Sequence, residues 1–254
     1  MSATTLSNGR VASNESLCLP PEYRQQAANF SIDTNRDQGS YWAPWRLADN
    51  GKWQHHVYRW AAELMASEGL TSVLDVGCGP CVKLLKFIAP LTSDITGLDQ
   101  PSALEAGRRQ GAAFTLASVD LENPQFSPGR TYDLIICADV IEHLADPEPA
   151  IGLFRRCAGP RTLLLISTPE RSRERGRACM ASNKPEHVRE WTREEFERFL
   201  RSRGLTPRRH RLLPKDAADR EPLRQAELEY RLGRAPTSPL CCQAWVCTLD
   251  PRRG

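Results

Sequence analysis

From Gly69 onward the chain alternates short apolar runs of β type with stretches of helical period, and this alternation limits the possible folds more than any other feature. The runs are 72–76 (SVLDV), 94–98 (DITGL), 113–117 (AFTLA), 132–138 (YDLIICA), 162–168 (TLLLIST), a short one near 205–211, and 243–249 (QAWVCTL). Helices are expected between them at about 80–90, 101–109, 147–157 and 192–203. Strands alternating with helices build a mostly parallel sheet covered on both faces. The expected fold class is therefore α/β, a doubly wound, mostly parallel seven-stranded sheet. Before it, Trp53, Val57, Trp60, Ala61 and Leu64 recur along one face of an amphipathic helix.

Residues 1–50 carry weak periodicity and read as an N-terminal helical arm, disordered at its start. Its aromatics Tyr41, Trp42 and Trp45 either form a lid or pack the first helix onto the sheet. The folded domain is expected over 51–254, with a polar, proline-flanked insertion at about 212–240. No apolar run reaches the length of a membrane span, and the first residues lack the pattern of a secretory leader, which points to the cytosol. Nine cysteines at irregular positions, several inside apolar runs, read as buried reduced thiols.

The net charge of +3 hides an asymmetry: Arg161–Arg234 holds 19 basic against 12 acidic side chains, and the rest 15 against 19. The basic stretch is either a solvated helical surface or a positive rim that attracts an anionic substrate. Its densest part, Ser167–Arg177, follows the fifth run, where Arg171, Arg173, Arg175 and Arg177 offer a site for phosphate or carboxylate.

The first run enters Val76-Gly77-Cys78-Gly79-Pro80-Cys81, a turn whose glycines let backbone approach a ligand closely. About 20 residues on, the second run ends in Asp99, where a carboxylate can accept from both hydroxyls of a ribose. The third run is followed by Asp120 and Leu121. Ligands of such sheets bind outside these strand ends.

With these motifs in this order, the segment from Ser72 to about Leu205 resembles the class I S-adenosylmethionine-dependent methyltransferases. The resemblance implies that Asp75, Gly77, Cys78 and Gly79 cradle the methionine moiety of S-adenosyl-L-methionine and that Asp99, with Gln100 beside it, holds the ribose. It implies that Asp120 and Leu121 face the adenine, and that Ala138 and Asp139 lie near the methyl group. Cys78-Gly79-Pro80-Cys81 also reads as a thioredoxin-type redox motif. Such proteins are shorter and have no need of the three acids at successive strand ends.

After the fourth run comes Asp139-Val140-Ile141-Glu142-His143; in a helix, positions i, i+3 and i+4 share one face. Oxygen donors with a histidine suit Mg²⁺ or Mn²⁺. Downstream, Thr192 and Glu195 have capping-box spacing, which leaves His187 on the loop before that helix. This pattern resembles the metal-dependent 2′-O-methyltransferases of small-RNA ends and, more loosely, ubiquinone-pathway and bacterial sugar or natural-product O-methyltransferases. The resemblance implies a cation on Asp139, Glu142, His143 and His187, although Asp139 stands where the RNA enzymes carry Glu. Two other readings of the pattern stay open: a histidine general base without metal, with His143, His187 and Glu142 as the catalytic set, and purely structural roles.

A hydroxyl must lose its proton to attack a sulfonium methyl, and either a cation or a histidine serves that step. An amine needs neither. The expectation is O-methylation of a hydroxyl on a small molecule: a sugar, a natural product or an anionic metabolite. The alternatives are an RNA 2′-O-methyltransferase, an N-methyltransferase of a small amine, and a non-catalytic cofactor-binding protein. A nucleic-acid partner is disfavoured by the modest net charge and by the lack of a recognisable binding module.

Overall fold

The computed structural model describes residues 12–25, 51–215, 232 and 240–249. The elements run α1 (His55–Glu68), β1 (Val73–Val76), β2 (Ile95–Asp99), α2 (Pro101–Arg109), β3 (Thr115–Ser118), β4 (Tyr132–Ala138), α3 (Glu148–Cys157), β5 (Ala158–Pro169), the short α4 (Arg171–Glu174), α5 (Arg193–Ser202), β6 (Leu205–Leu213) and β7 (Cys242–Leu249). The seven strands form one sheet in the order β3-β2-β1-β4-β5-β7-β6. β7 alone is antiparallel to both of its neighbours. No helix among the described residues is long and apolar enough to cross a membrane. Tyr41, Trp42, Trp45 and most of the expected insertion lie outside the described residues.

The strands of β1 and β4 are buried on both faces, as their unbroken apolar character requires. Leu74, Val76, Ile135 and Cys137 face one way, into a core shared with α3 and α5. Val73, Leu134 and Ile136 face the other, against Val57, Trp60, Ala61 and Leu64 of α1. Each such fully buried aliphatic side chain stabilises the fold by about 1.5–3 kcal/mol. α1 stops at Gly69, whose left-handed backbone (φ 66°) lets its N–H reach the Met65 carbonyl.

Two local conformations depart from expectation. The helix predicted from Pro80 cannot start there, because Cys81 has φ 60°, and its later part, Leu84–Ile88, is wound as a π-helix in which Ala89 N donates to Leu84 O. The helical turn on which Asp139, Glu142 and His143 would share one face does not form; a left-handed Asp139 (φ 53°) and a single 3₁₀ turn, Ile141–His143, stand there. The i, i+3, i+4 argument therefore does not hold at that position.

Within residues 12–25, Leu17, Leu19 and Tyr23 are buried in the α3–α5 core. The Leu17 carbonyl accepts from Trp191 Nε1 at 2.8 Å, and Arg24 N donates to Met180 O at 2.7 Å. Far from trailing loosely, this part of the arm is seated along residues 180–191.

Candidate active site

β1 and β4 are neighbours, yet the chain leaves β1 toward β2 and β4 toward β5, so a crevice opens beyond their C-terminal ends. The glycine turn lies there. Gly77 has φ 84°, and a Cβ on it would lie 2.3 Å from Val140 Cγ2, so only glycine lets the ends of β1 and β4 come this close. Gly77 N and Cys78 N both donate to Leu98 O.

Asp99 is tied into the same turn: its Oδ2 accepts from Gly79 N and its Oδ1 from Gln100 N, each at 2.7 Å. An ionised carboxylate has about four acceptor positions, so this geometry suits a group that also takes hydroxyl donors. Asp120 sits past β3, half-buried, with Oδ1 accepting from Glu122 N. Leu121 packs against the core, and Ala138 ends β4.

Asp75 points to the α1 face of the sheet and is fully buried. Tyr58 Oη donates to its Oδ2 at 2.7 Å, and Oδ1 has no hydrogen-bond partner. Burial pushes the Asp75 carboxyl up to about 7, against the opposing pull of Tyr58 and Lys83. Lys83, also buried, is brought down to about 8 by desolvation, opposed by Asp75 and Asp139. Its Nζ donates to Gln54 Oε1, while Gln54 Nε2 donates to Asp139 Oδ2. Sequence reasoning missed Tyr58, Lys83 and Gln54, because nothing in their local spacing marks them.

The two cysteines of the turn lie inside the protein with sulfurs 3.9 Å apart. The hydrogen bond from Cys81, together with burial, raises the Cys78 thiol well above its ordinary value. A redox motif needs the opposite, an accessible thiol with a lowered pKa.

Glu142, His143 and His187 converge, each offering a donor atom within 4.8 Å of the others. Asp139 does not join them. Its left-handed backbone turns the side chain toward Ser167, whose Oγ donates to Oδ1 at 2.6 Å. Glu142 is fully buried; Thr168 Oγ1 donates to its Oε2, and Oε1 has no hydrogen-bond partner. Burial and the charge of Asp139 raise its carboxyl well above the ordinary range.

Both imidazoles are oriented through Nδ1. That of His143 lies 2.5 Å from the Glu186 carbonyl, and that of His187 lies 2.6 Å from Glu190 Oε1. With Nδ1–H as donor, Nε2 carries the lone pair in each ring, the arrangement that metal-binding histidines use. Burial lowers the His187 imidazole below its ordinary value, which keeps it neutral at neutral pH. Glu190 stands in the His187-x-x-Glu190-Trp191 stretch of the sequence pattern, but no role was expected of it there.

The arginine cluster turns inward instead of forming a rim. Arg171 is 1% exposed and pairs with Glu195 at 2.7 Å. Arg175 holds Glu190 through Nε and Nη2, Arg173 is buried, and Arg177 is exposed. Burial alone would raise the Glu190 carboxyl, but the hydrogen bonds from His187 and Arg175 prevail and bring it down to about 2.

A sheet in this order, with a glycine turn at its switch point and acids after β2 and β3, defines an S-adenosylmethionine-dependent methyltransferase of class I. The chain belongs to the family described as a methyltransferase domain, whose profile matches residues 35–210. It is similar to the ubiquinone biosynthesis O-methyltransferases of Azorhizobium caulinodans (33% identity over 129 residues, 44% of this chain and 45% of the relative) and Bordetella avium (28% over 118 residues, 44% and 48%). The chain thus spans about half the length of the curated relatives it matches.

Among solved structures, a Haloferax volcanii methyltransferase in complex with the Trm112 activator superposes with TM-score 0.61 at 15% identity, over 85% of this chain and 99% of that one. The plantazolicin methyltransferase BamL, solved with S-adenosylhomocysteine, gives 0.59 at 15% identity, over 94% and 98%. At these identities the likeness is one of fold.

Proposed function

We propose that the protein transfers the methyl group of S-adenosylmethionine to a hydroxyl of a small molecule, at a divalent cation held by Glu142, His143 and His187. The observation that carries this reading is the convergence of these three donors beside the end of β4, with both imidazoles fixed through Nδ1. The residues fit a cation. A buried carboxyl oxygen without a hydrogen-bond partner, beside two imidazoles, is a costly arrangement unless something positive joins it. The partial matches to O-methyltransferases support the same acceptor atom.

When bound, the cation would lower the pKa of the acceptor hydroxyl and orient its oxygen. The protein's own residues do the rest. Asp99 and Asp120 hold the nucleoside half of the cofactor, and Gly77 and Gly79 allow the methionine half against the backbone. Methyl transfer is an in-line displacement, so this placement of donor against acceptor supplies much of the rate. The Nδ1–H bonds of His143 and His187 keep Nε2 of both rings turned to the acceptor side.

The test is release of S-adenosylhomocysteine against a panel of hydroxylated acceptors, with the enzyme stripped by EDTA and then supplied with Mn²⁺ or Mg²⁺. Activity should vanish on stripping and return with metal. His187→Ala should lower turnover by about 10²-fold or more with cofactor affinity unchanged. Full activity in the stripped enzyme would overturn the cation reading.

A further inference from the structure

His187 is positioned by Glu190, a residue with every polar group occupied. Its Oε1 accepts from His187 Nδ1, from Ser182 Oγ at 2.9 Å and from Arg175 Nη2 at 2.8 Å, and its Oε2 accepts from Arg175 Nε at 3.1 Å. Its carbonyl accepts from Arg171 Nη1 at 2.9 Å. These partners all lie between positions 171 and 187. The backbone N–H is the exception: it donates to the hydroxyl of Tyr23 at 2.7 Å, across 167 positions of sequence.

Tyr23 is itself fixed. It is 3% exposed, its ring lies 4.9 Å from the Arg171 guanidinium, and the residues around it are seated along 180–191 by the Trp191–Leu17 and Arg24–Met180 hydrogen bonds. Tyr23, Leu17 and Arg24 precede the part of the chain matched by the family profile, which begins at residue 35, while their partners lie within it.

We propose that Tyr23 is a positioning residue for His187, acting through Glu190. A buried N–H deprived of its acceptor must seek another or stay unsatisfied. Glu190 has no freedom to turn without moving its carboxylate off His187 Nδ1. The imidazole then loses the hydrogen bond that selects its δ-protonated tautomer and aims Nε2 at Glu142 and His143. The inference rests on the proposed role of His187, and its test separates the two.

The test compares the full-length wild type, Tyr23→Phe and Leu17→Ala. Mn²⁺ affinity is read by electron paramagnetic resonance, S-adenosylhomocysteine affinity by calorimetry, and the His187 tautomer by long-range ¹H–¹⁵N correlation in metal-free protein. Tyr23→Phe should weaken Mn²⁺ binding by about tenfold, the lower end of what outer partners of metal-bound histidines contribute. It should leave cofactor affinity unchanged and turn a pure Nδ1–H signal into a mixture. Leu17→Ala removes a fully buried side chain from the same segment and should lower the unfolding temperature without either change.

The proposal is overturned if Tyr23→Phe keeps the wild-type tautomer, or if Leu17→Ala alters tautomer and Mn²⁺ affinity as much as Tyr23→Phe does. If the wild type binds no Mn²⁺, the cation reading fails, and the tautomer comparison alone decides the role of Tyr23.

Discussion

Gly77 shows how one residue couples backbone geometry to the cofactor crevice. Its φ of 84° and the 2.3 Å approach that a Cβ would make to Val140 are separate penalties on any side chain. The backbone strain alone costs about 1–3 kcal/mol. Gly77→Ala is expected to lower the unfolding temperature and to abolish S-adenosylhomocysteine binding in calorimetry; a variant that melts and binds like wild type would contradict this account. The glycine was legible from its place between an apolar run and Pro80. The conformation of Asp139 was not, because aspartate tolerates the left-handed region and no neighbouring residue signals that it is used. Four ligands were therefore expected where three converge. The arginines misled for a related reason: their partners, Glu195 for Arg171 and Glu190 for Arg175, lie 24 and 15 positions away, at no spacing that a local pattern reveals.

At the scale of elements, all seven strands overlap the predicted runs; β1 and β4 were the plainest, since a strand covered on both faces must be apolar throughout, whereas the edge strands β3 and β6 are partly exposed. The π-helical stretch Leu84–Ile88 was hidden, because five residues make little more than one turn, too few for an apolar stripe to reveal its period. α5 was the most readable helix. Thr192 Oγ1 accepts from Glu195 N while Glu195 Oε2 accepts from Thr192 N, so the predicted capping box is present. Thr192→Ala should cost about 1 kcal/mol, seen as a fall of roughly 2–4 °C in unfolding temperature for a chain of this size. Glu195 Oε1 still holds Arg171 in that variant, so cofactor affinity should stay at the wild-type value. A loss of cofactor binding would show that the cap is coupled to the site.

At the scale of the whole molecule, the excess of basic residues in the second half of the chain is partly spent on internal order: Arg171, Arg173 and Arg189 are all buried. Arg189 spans the Leu144 and Ala145 carbonyls, just past the 3₁₀ turn that carries Glu142 and His143. The seating of residues 12–25 on residues 180–191 joins positions far apart in the chain. At about 5–20 residues per second of synthesis, Tyr23 leaves the ribosome roughly 10–30 s before Glu190 exists. Until then Leu17, Leu19 and Tyr23 have nothing to pack against on that side, and chain closure over such a distance is slow. β1–β5 and the glycine turn precede Glu190 in the chain and can form first, so in refolding the recovery of S-adenosylhomocysteine binding should precede that of Mn²⁺ binding. The protein would be born able to hold its cofactor and become competent for chemistry only when a segment made early meets one made much later.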